Sequence, residues 1–171
     1  DAILFEIYDI KKGKINKNEK ENPIAYLCMD LFPREGKYGH ACMMPITEGL
    51  QIDIDNYRTP ISAIICNFSK PQKATKQNKD TPSLLTIGEV ETLYHEFGHS
   101  LHAMLPKAKH NSHAGTNVVW DFVEVPSQLL EEWVSEEKVL SKISKHYITG
   151  KSLPTSIINT TNISVSISNI S

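Results

Sequence analysis

Several features are missing from this sequence, and each absence excludes a class of protein. No stretch approaches the roughly 18 consecutive apolar residues that a membrane-spanning helix needs. A formal net charge of −2 provides no electrostatic attraction to nucleic acid or to an anionic membrane surface. The sequence therefore predicts neither nucleic acid nor a membrane as a partner.

Cysteine is also scarce. The three cysteines, Cys28, Cys42 and Cys66, are odd in number and widely separated. This pattern fits neither a disulfide framework nor a CxxC metal site. Each lies in an apolar run, where a free thiol behaves as a small buried hydrophobe. Reduced thiols are typical of the cytoplasm, and the mitochondrial matrix is the alternative compartment.

The hydrophobic period changes near residue 87. Before it, apolar runs of strand length occupy residues 2–8, 24–32, 41–46 and 60–68, and polar stretches separate them. From Ile87 to Pro106 apolar residues recur at three- and four-residue steps, and a similar pattern runs from Asp121 to Leu140. The sequence thus predicts an α+β fold, with a small sheet followed by two helices.

The end of the chain has a different composition. Residues 154–171 carry no charge and consist almost entirely of Ser, Thr, Asn, Ile and Val. We expect one domain over residues 1–153 and a low-complexity tail over 154–171. Asp1 leads at once into a strand pattern, which is typical of a segment from inside a longer polypeptide.

The stretch ETLYHEFGHSLH places three of the chain's 7 histidines close together. His95 and His99 are one helical turn apart, about 6 Å along the axis, so both imidazoles can bind one tetrahedral ion. Glu96 lies beside that ion, where it can accept a proton from an activated water. Chance produces this spacing roughly 0.02 times per chain of this composition, so a metal is favoured over a coincidence.

A catalytic zinc site needs a third protein ligand. His102 lies about 10 Å along the helix axis from the first histidine, too far for a compact site. His110 and His113, in the following loop, could reach back and are alternatives. Glu124 is favoured because it falls in the apolar first turns of the second helix, where an unpaired carboxylate is costly.

Further acidic residues lie near these candidates. Glu91, one turn before His95, could accept the N–H of a ligand imidazole. The alternative is an ordinary exposed glutamate in the first helical turn, where the helix dipole favours it. The glutamates that follow on the second helix, Glu131 among them, lie on a polar stretch and are expected to be solvated.

Three separated blocks resemble the thimet oligopeptidase family of zinc metallopeptidases: DLFPREGKYGHA, LTIGEVETLYHEFGHSLH and AGTNVVWDFVEVPSQLLEEW. The similarity runs from about Asp1 to Pro154. It implies a zinc-dependent endopeptidase that hydrolyses short peptides, with one Zn2+ per chain. In this resemblance His95, His99 and Glu124 are the metal ligands and Glu96 is the general base.

The resemblance also implies where a peptide substrate lies. The loop that contains Gly115 and Thr116 is expected near the bound peptide, and the strand that ends with Cys66, Asn67 and Phe68 is expected to pair with its backbone. Members of the family are several times longer and have a mostly helical body. The chain therefore resembles a fragment, with part of the catalytic domain over residues 1–153 and the two-helix zinc site beside the sheet.

Two other interpretations follow from what the chain lacks relative to that family. In the first, it binds zinc but is catalytically inactive, because the downstream region that holds substrate and stabilises the oxyanion is absent. In the second, it is a metal-free structural fragment whose histidines are fortuitous.

Overall fold

A computed structural model describes residues 2–9, 22–74 and 80–158. Strands come first along the chain and helices follow, which confirms the predicted α+β class. The strands are β1 Ile3–Ile7, β2 Ala25–Asp30, β3 Cys42–Thr47, β4 Leu50–Gln51, β5 Tyr57–Arg58 and β6 Ile61–Ile65. The helices are α1 Ile87–Met104, α2 Trp120–Val123, α3 Val125–Ser135 and α4 Glu137–Ile143, with a 3-10 turn at Asn111–His113.

The main sheet has four strands in the order β1-β2-β6-β3. β1 is antiparallel to β2, β2 is parallel to β6, and β6 is antiparallel to β3. β3 is therefore an edge strand. Pro45, which has no N–H to donate, is compatible with this position, and the pairing register shifts between Pro45 and Thr47. β4 and β5 form a separate two-stranded sheet.

The core lies between this sheet and α1. Its buried residues come mainly from β2 and from β6 with its extension, and Met104 comes from α1; they are Ala25, Leu27, Ile64, Cys66, Phe68 and Met104. Leu93, Phe97 and Leu101 of α1 pack against this cluster. Because the apolar face of α1 packs on the sheet, the position of that face also determines which residues lie on the opposite face of the helix.

Helix α1 has well-defined ends. The Thr86 hydroxyl accepts a hydrogen bond from the Glu89 backbone N–H, and the Glu89 carboxylate accepts one from the Thr86 N–H. This capping box stabilises the first turn. The helix ends at Met104, close to Pro106 as predicted.

The second helical pattern is not one helix but three, which corrects the sequence interpretation. α2 ends just before Glu124, and Pro126 lies in the first turn of α3, where its missing N–H costs no hydrogen bond. Glu136 has an extended backbone (φ −72°, ψ 122°) and separates α3 from α4. The breaks place Glu124 at the junction between two short helices.

The turn before β3 is held by a buried ion pair. Lys37, whose side chain is 3% exposed, donates from Nζ to the Asp30 carboxylate at 3.0 Å and to the backbone oxygens of Phe32 and Cys66. Arg34 bonds the same carboxylate at 2.7 Å. Burial alone would raise the pKa of Asp30, but the hydrogen bonds from Arg34 and Lys37 outweigh it and lower that pKa below its ordinary value.

The predicted tail lies largely outside the described residues. Its first part includes a helical turn at 155–158, and Ile158 is buried. The boundary at residue 153 stays a prediction. Within the described parts of the chain, no helix combines the length and apolarity needed to cross a membrane.

Candidate metal centre

The structure brings together the three residues that were predicted as ligands. The imidazoles of His95 and His99 are edge to face, with ring centroids 4.9 Å apart. Their Nε2 atoms lie 3.4 Å and 3.1 Å from Oε2 of Glu124. One ligand atom from each of the three residues falls within 4.8 Å of the others, which is compact enough for a single ion.

Close packing between α1 and α3 makes this convergence possible. A Cβ on Gly98 would lie 2.5 Å from the Pro126 carbonyl oxygen and 2.6 Å from Cα of Ser127. Both of these atoms belong to the backbone, so they cannot move aside as a flexible side chain could. Only glycine lets the helices approach closely enough to bring Glu124 over the histidine pair.

Ser127 then orients the carboxylate of Glu124. Its hydroxyl, on a fully buried residue, hydrogen bonds to Oε2 of Glu124 at 2.7 Å and lies 2.9 Å from the backbone oxygen of the same residue. This bond is the main reason why the pKa of Glu124 is lower than usual. Partial burial opposes the shift, and the neighbouring His99 and His95 add to it. The carboxylate is thus held in its ionised form, which is the form that binds a metal.

Sequence reasoning missed Glu131, which contacts one of the two candidate ligand histidines. Oε2 of Glu131 lies 3.0 Å from Nδ1 of His95. When Nδ1 donates this hydrogen bond, the lone pair of Nε2 points toward Glu124. Glu131 was expected to be solvated; its side chain is 44% exposed, yet it has this specific partner. The missed signal is the spacing of two helical turns between Glu124 and Glu131, which places both on one side of α3.

The prediction for Glu91 finds no support in the contacts. Glu91 is half-buried, and among the described residues it makes no hydrogen bond to a histidine. Glu131, from the facing helix, makes the contact that Glu91 was expected to make.

Glu96 lies in the wall of the same cleft. It is 8% exposed, and the cleft, of about 370 Å³, is open to solvent. The residues around it come from β3, from the loop before α2 and from the helices; they are Ala41, Cys42, Met43, His95, Glu96, His99, Thr116, Val123 and Glu124. The Glu96 carboxylate therefore lies next to the candidate metal ligands, in a cleft that solvent can enter.

The cysteines near the cleft are not activated nucleophiles. Burial, and then the charge of Glu96, raise the pKa of the Cys42 thiol. For the fully buried Cys66, the same causes raise the pKa to about 11. All three cysteines are free thiols, as predicted.

The predicted substrate-contacting residues have different surroundings. Thr116 lines the cleft, and Gly115 beside it has φ +60°, which favours glycine. Asn67 instead follows an interior strand and donates from its side chain to the Tyr38 carbonyl oxygen at 2.9 Å. Because β6 lies between β2 and β3, its edges are already paired, and the open edge beside the cleft belongs to β3. The role of Asn67 at a bound peptide stays a prediction.

The alternative histidine ligands lie away from the cluster. His110 and His113 face each other with ring centroids 6.4 Å apart. His102 packs edge to face on Phe122, at 5.9 Å, and its buried Nδ1 has no hydrogen-bond partner among the described residues. In the part of the chain that the structure describes, the candidate metal group comprises His95, His99 and Glu124.

Comparison with known proteins identifies the relatives of this chain. The family model of peptidase family M3 matches residues 7–168. Saccharolysin of Saccharomyces cerevisiae is 39% identical over 155 residues, which are 88% of this chain and 21% of that protein. Thimet-like oligopeptidase of Dictyostelium discoideum is 44% identical over 137 residues, 79% of this chain and 20% of that protein. Oligopeptidase A of Escherichia coli is 36% identical over 160 residues, 93% of this chain and 21% of that protein.

The chain thus spans about a fifth of the length of these relatives. The family match covers strands β2 to β6 and the helices, including the cluster of two histidines and a glutamate. On this evidence the chain belongs to peptidase family M3.

Proposed function

We propose that this chain carries the catalytic metal site of a zinc-dependent endopeptidase that hydrolyses short peptides. The observation that carries the proposal is the convergence of His95, His99 and Glu124 beside the nearly buried Glu96. Two imidazole nitrogens and one carboxylate oxygen are a donor set that suits zinc, whereas Mg2+ and Ca2+ prefer oxygen ligands throughout. Three protein ligands leave a fourth position for water or substrate.

The chain's own residues would perform the proton transfers. Zinc, when bound, supplies Lewis acidity that activates a water molecule and polarises the scissile carbonyl. Glu96 accepts the proton of the attacking water and delivers it to the amine of the leaving peptide. Ser127 and Glu131 keep Glu124 and His95 in their binding orientations, so that little reorganisation is needed.

The peptide would lie along the open edge of β3. Cys42 and Met43 of this strand line the cleft, and an extended peptide can add to a free strand edge through backbone hydrogen bonds. This places the scissile bond between β3 and the histidines. Thr116 then faces the peptide from the opposite loop.

The names of the relatives agree with a peptide substrate, since they include oligopeptidases from several organisms. The three free cysteines favour the cytoplasm as the compartment, with the mitochondrial matrix as the alternative. A mitochondrial intermediate peptidase is also among the relatives.

Metal content and cleavage together test the proposal. We expect close to one zinc per chain in the purified protein, a loss of most of it in Glu124→Ala, and no loss in the control Glu132→Ala, whose side chain is exposed. On a quenched-fluorescent peptide, Glu96→Gln should retain zinc and lose most of the turnover of the parent chain. A chain without zinc, or a Glu96→Gln variant with near-normal cleavage, would refute the mechanism.

A zinc-binding but inactive chain is the second candidate. The observation in its favour is that the chain spans about a fifth of the length of its relatives, so its sequence corresponds to only part of theirs. Stoichiometric zinc with no cleavage of any short peptide, by the parent chain as well as by Glu96→Gln, would establish this alternative.

A further inference from the structure

One long loop brings Thr116 to the cleft. It joins α1 to α2 and includes the 3-10 turn Asn111–His113. Its middle is anchored by Ala114, which is fully buried. On either side of this anchor, the loop is attached to the chain segment that follows β3.

The first attachment comes from the small β4–β5 sheet. The backbone N–H of Gln51 donates to the Ala108 carbonyl at 3.1 Å. The hydroxyl of Tyr57 donates to the Pro106 carbonyl, also at 3.1 Å. These two contacts hold the part of the loop that lies next to α1.

The second attachment comes from Glu48 and lies next to Thr116. The side-chain amide of Asn117 donates to Oε1 of Glu48 at 3.1 Å. A Cβ on Gly115 would lie 3.3 Å from Oε1 and Cγ of the same glutamate, so the loop backbone passes close to this side chain. Glu48 is fixed in turn, because its backbone oxygen accepts a hydrogen bond from Nε of Arg58 at 2.9 Å.

These contacts bracket Thr116 on both sides. Gly115 lies beside the Glu48 side chain, Asn117 hydrogen bonds to it, and the intervening Thr116 lines the cleft with the candidate ligands. The Glu48 carboxylate is therefore the group that attaches the loop to the rest of the chain next to Thr116.

We propose that Glu48 is a positioning residue for peptide binding: through Asn117 and Gly115 it holds Thr116 against the cleft. The inference rests on the proposed peptidase function and adds a residue to it. Glu48 itself touches neither the metal ligands nor the reacting atoms. Its removal should therefore weaken peptide binding and leave zinc binding intact.

The test uses the zinc-loaded chain and a short peptide in which a phosphinate replaces the scissile amide. In Glu48→Ala we expect faster amide hydrogen exchange over residues 111–118 and about tenfold weaker peptide binding, the cost of one lost hydrogen bond near a charged group. Glu48→Gln keeps an acceptor oxygen and should bind as the parent chain does. Asn117→Ala should match Glu48→Ala, and the double variant should be no weaker than either.

Glu35→Ala is the matched control, since it removes an exposed glutamate from the turn before β3. The inference is overturned if Glu48→Ala keeps the parent's loop exchange and peptide affinity, or if Glu48→Gln is as weak as Glu48→Ala. Failure of the parent chain to bind the peptide would instead count against the proposed function. The exchange rates would then decide by themselves whether Glu48 holds the loop.

Discussion

The two halves of the candidate metal site differ in how they are supported. The first half, His95, Glu96 and His99, lies on a continuous 18-residue helix with a capping box, and that helix packs on the core. The second half comprises Glu124, at the junction of two short helices, and Glu131, within α3, and their side chains are 46% and 44% exposed. Large apolar side chains around it are also exposed: Val119, Trp120, Phe122, Val125, Leu129 and Trp133.

This difference shows which contact completes the site. The histidine half has its own local stabilisation from the capping box and packs on the core, so we expect its geometry to depend little on the other helices. The glutamate half is placed mainly by the packing of α3 on α1. The closest approach between these helices, at Gly98 and Ser127, is therefore the contact on which the three-residue cluster depends.

The largest effect is expected from Gly98→Ala, which acts at the junction of the two halves. The added methyl would meet backbone atoms at 2.5 and 2.6 Å, so α3 must shift away from α1. We expect a loss of about 2–3 kcal/mol in the free energy of unfolding, as for other overpacked sites, together with a large loss of zinc affinity. Chemical denaturation and zinc titration against a chelator measure the two quantities.

Gly88→Ala is the control for this change. Gly88 lies in the same helix, and a Cβ there meets no atom within 4 Å. It should stabilise the chain by up to about 1 kcal/mol, because alanine favours the helix. If Gly98→Ala behaved like Gly88→Ala, the close approach of α1 and α3 would not be what places Glu124.

The same contrast explains what could be predicted from the sequence. The spacing of His95, Glu96 and His99 depends only on helix geometry, and Glu124 could be chosen because a carboxylate in an apolar turn needs a partner. Glu131 was missed because its partner lies on another helix. The division into three helices was missed because the apolar period continues across the breaks, although Pro126 required either a first helical turn or a kink at its position, and it lies in the first turn of α3.

Strand order shows a similar limit. The apolar runs predicted the strands of the main sheet, but no local pattern indicates that β6 pairs with β2 on one side and with β3 on the other. As a result, the open edge of β3 beside the cleft could not be located from the sequence. Long-range pairing is decided by the packing of the whole sheet, which a single sequence does not display.

A smaller effect is expected from Glu131→Ala, which tests whether the exposed half contributes to binding. Without the carboxylate 3.0 Å from Nδ1, His95 loses the partner that fixes its tautomer and ring orientation. Loss of such a partner usually costs 10- to 100-fold in metal affinity, about 1.4–2.7 kcal/mol. Zinc titration of this variant and of Glu132→Ala, whose side chain is exposed on the same helix, measures the difference. Equal affinities would show that the contact has no role in metal binding.

The smallest effect, a dependence of stability on pH, should come from the sheet that supports the first half. The pKa of Asp30 is lowered in the folded chain, because the hydrogen bonds from Arg34 and Lys37 outweigh the opposing effect of burial. A carboxyl with a lowered folded pKa stabilises the fold above its unfolded pKa, near 3.8, and this contribution is lost as the pH falls through the folded value.

We therefore expect the melting temperature to fall as the pH drops below about 4, and Asp30→Asn to show a flatter profile over that range. The slope of melting temperature against pH is the relevant quantity, since the substitution also changes the partners of the buried Lys37 and so shifts the whole curve. Asp9→Asn, at an exposed position after β1, should keep the slope of the parent chain. If Asp30→Asn had the parent's slope as well, the acid sensitivity would arise outside the ion pair that holds the turn before β3. In that case the ion pair could not be counted as support for the histidine half, and the difference in support between the two halves of the site would come from helix α1 alone.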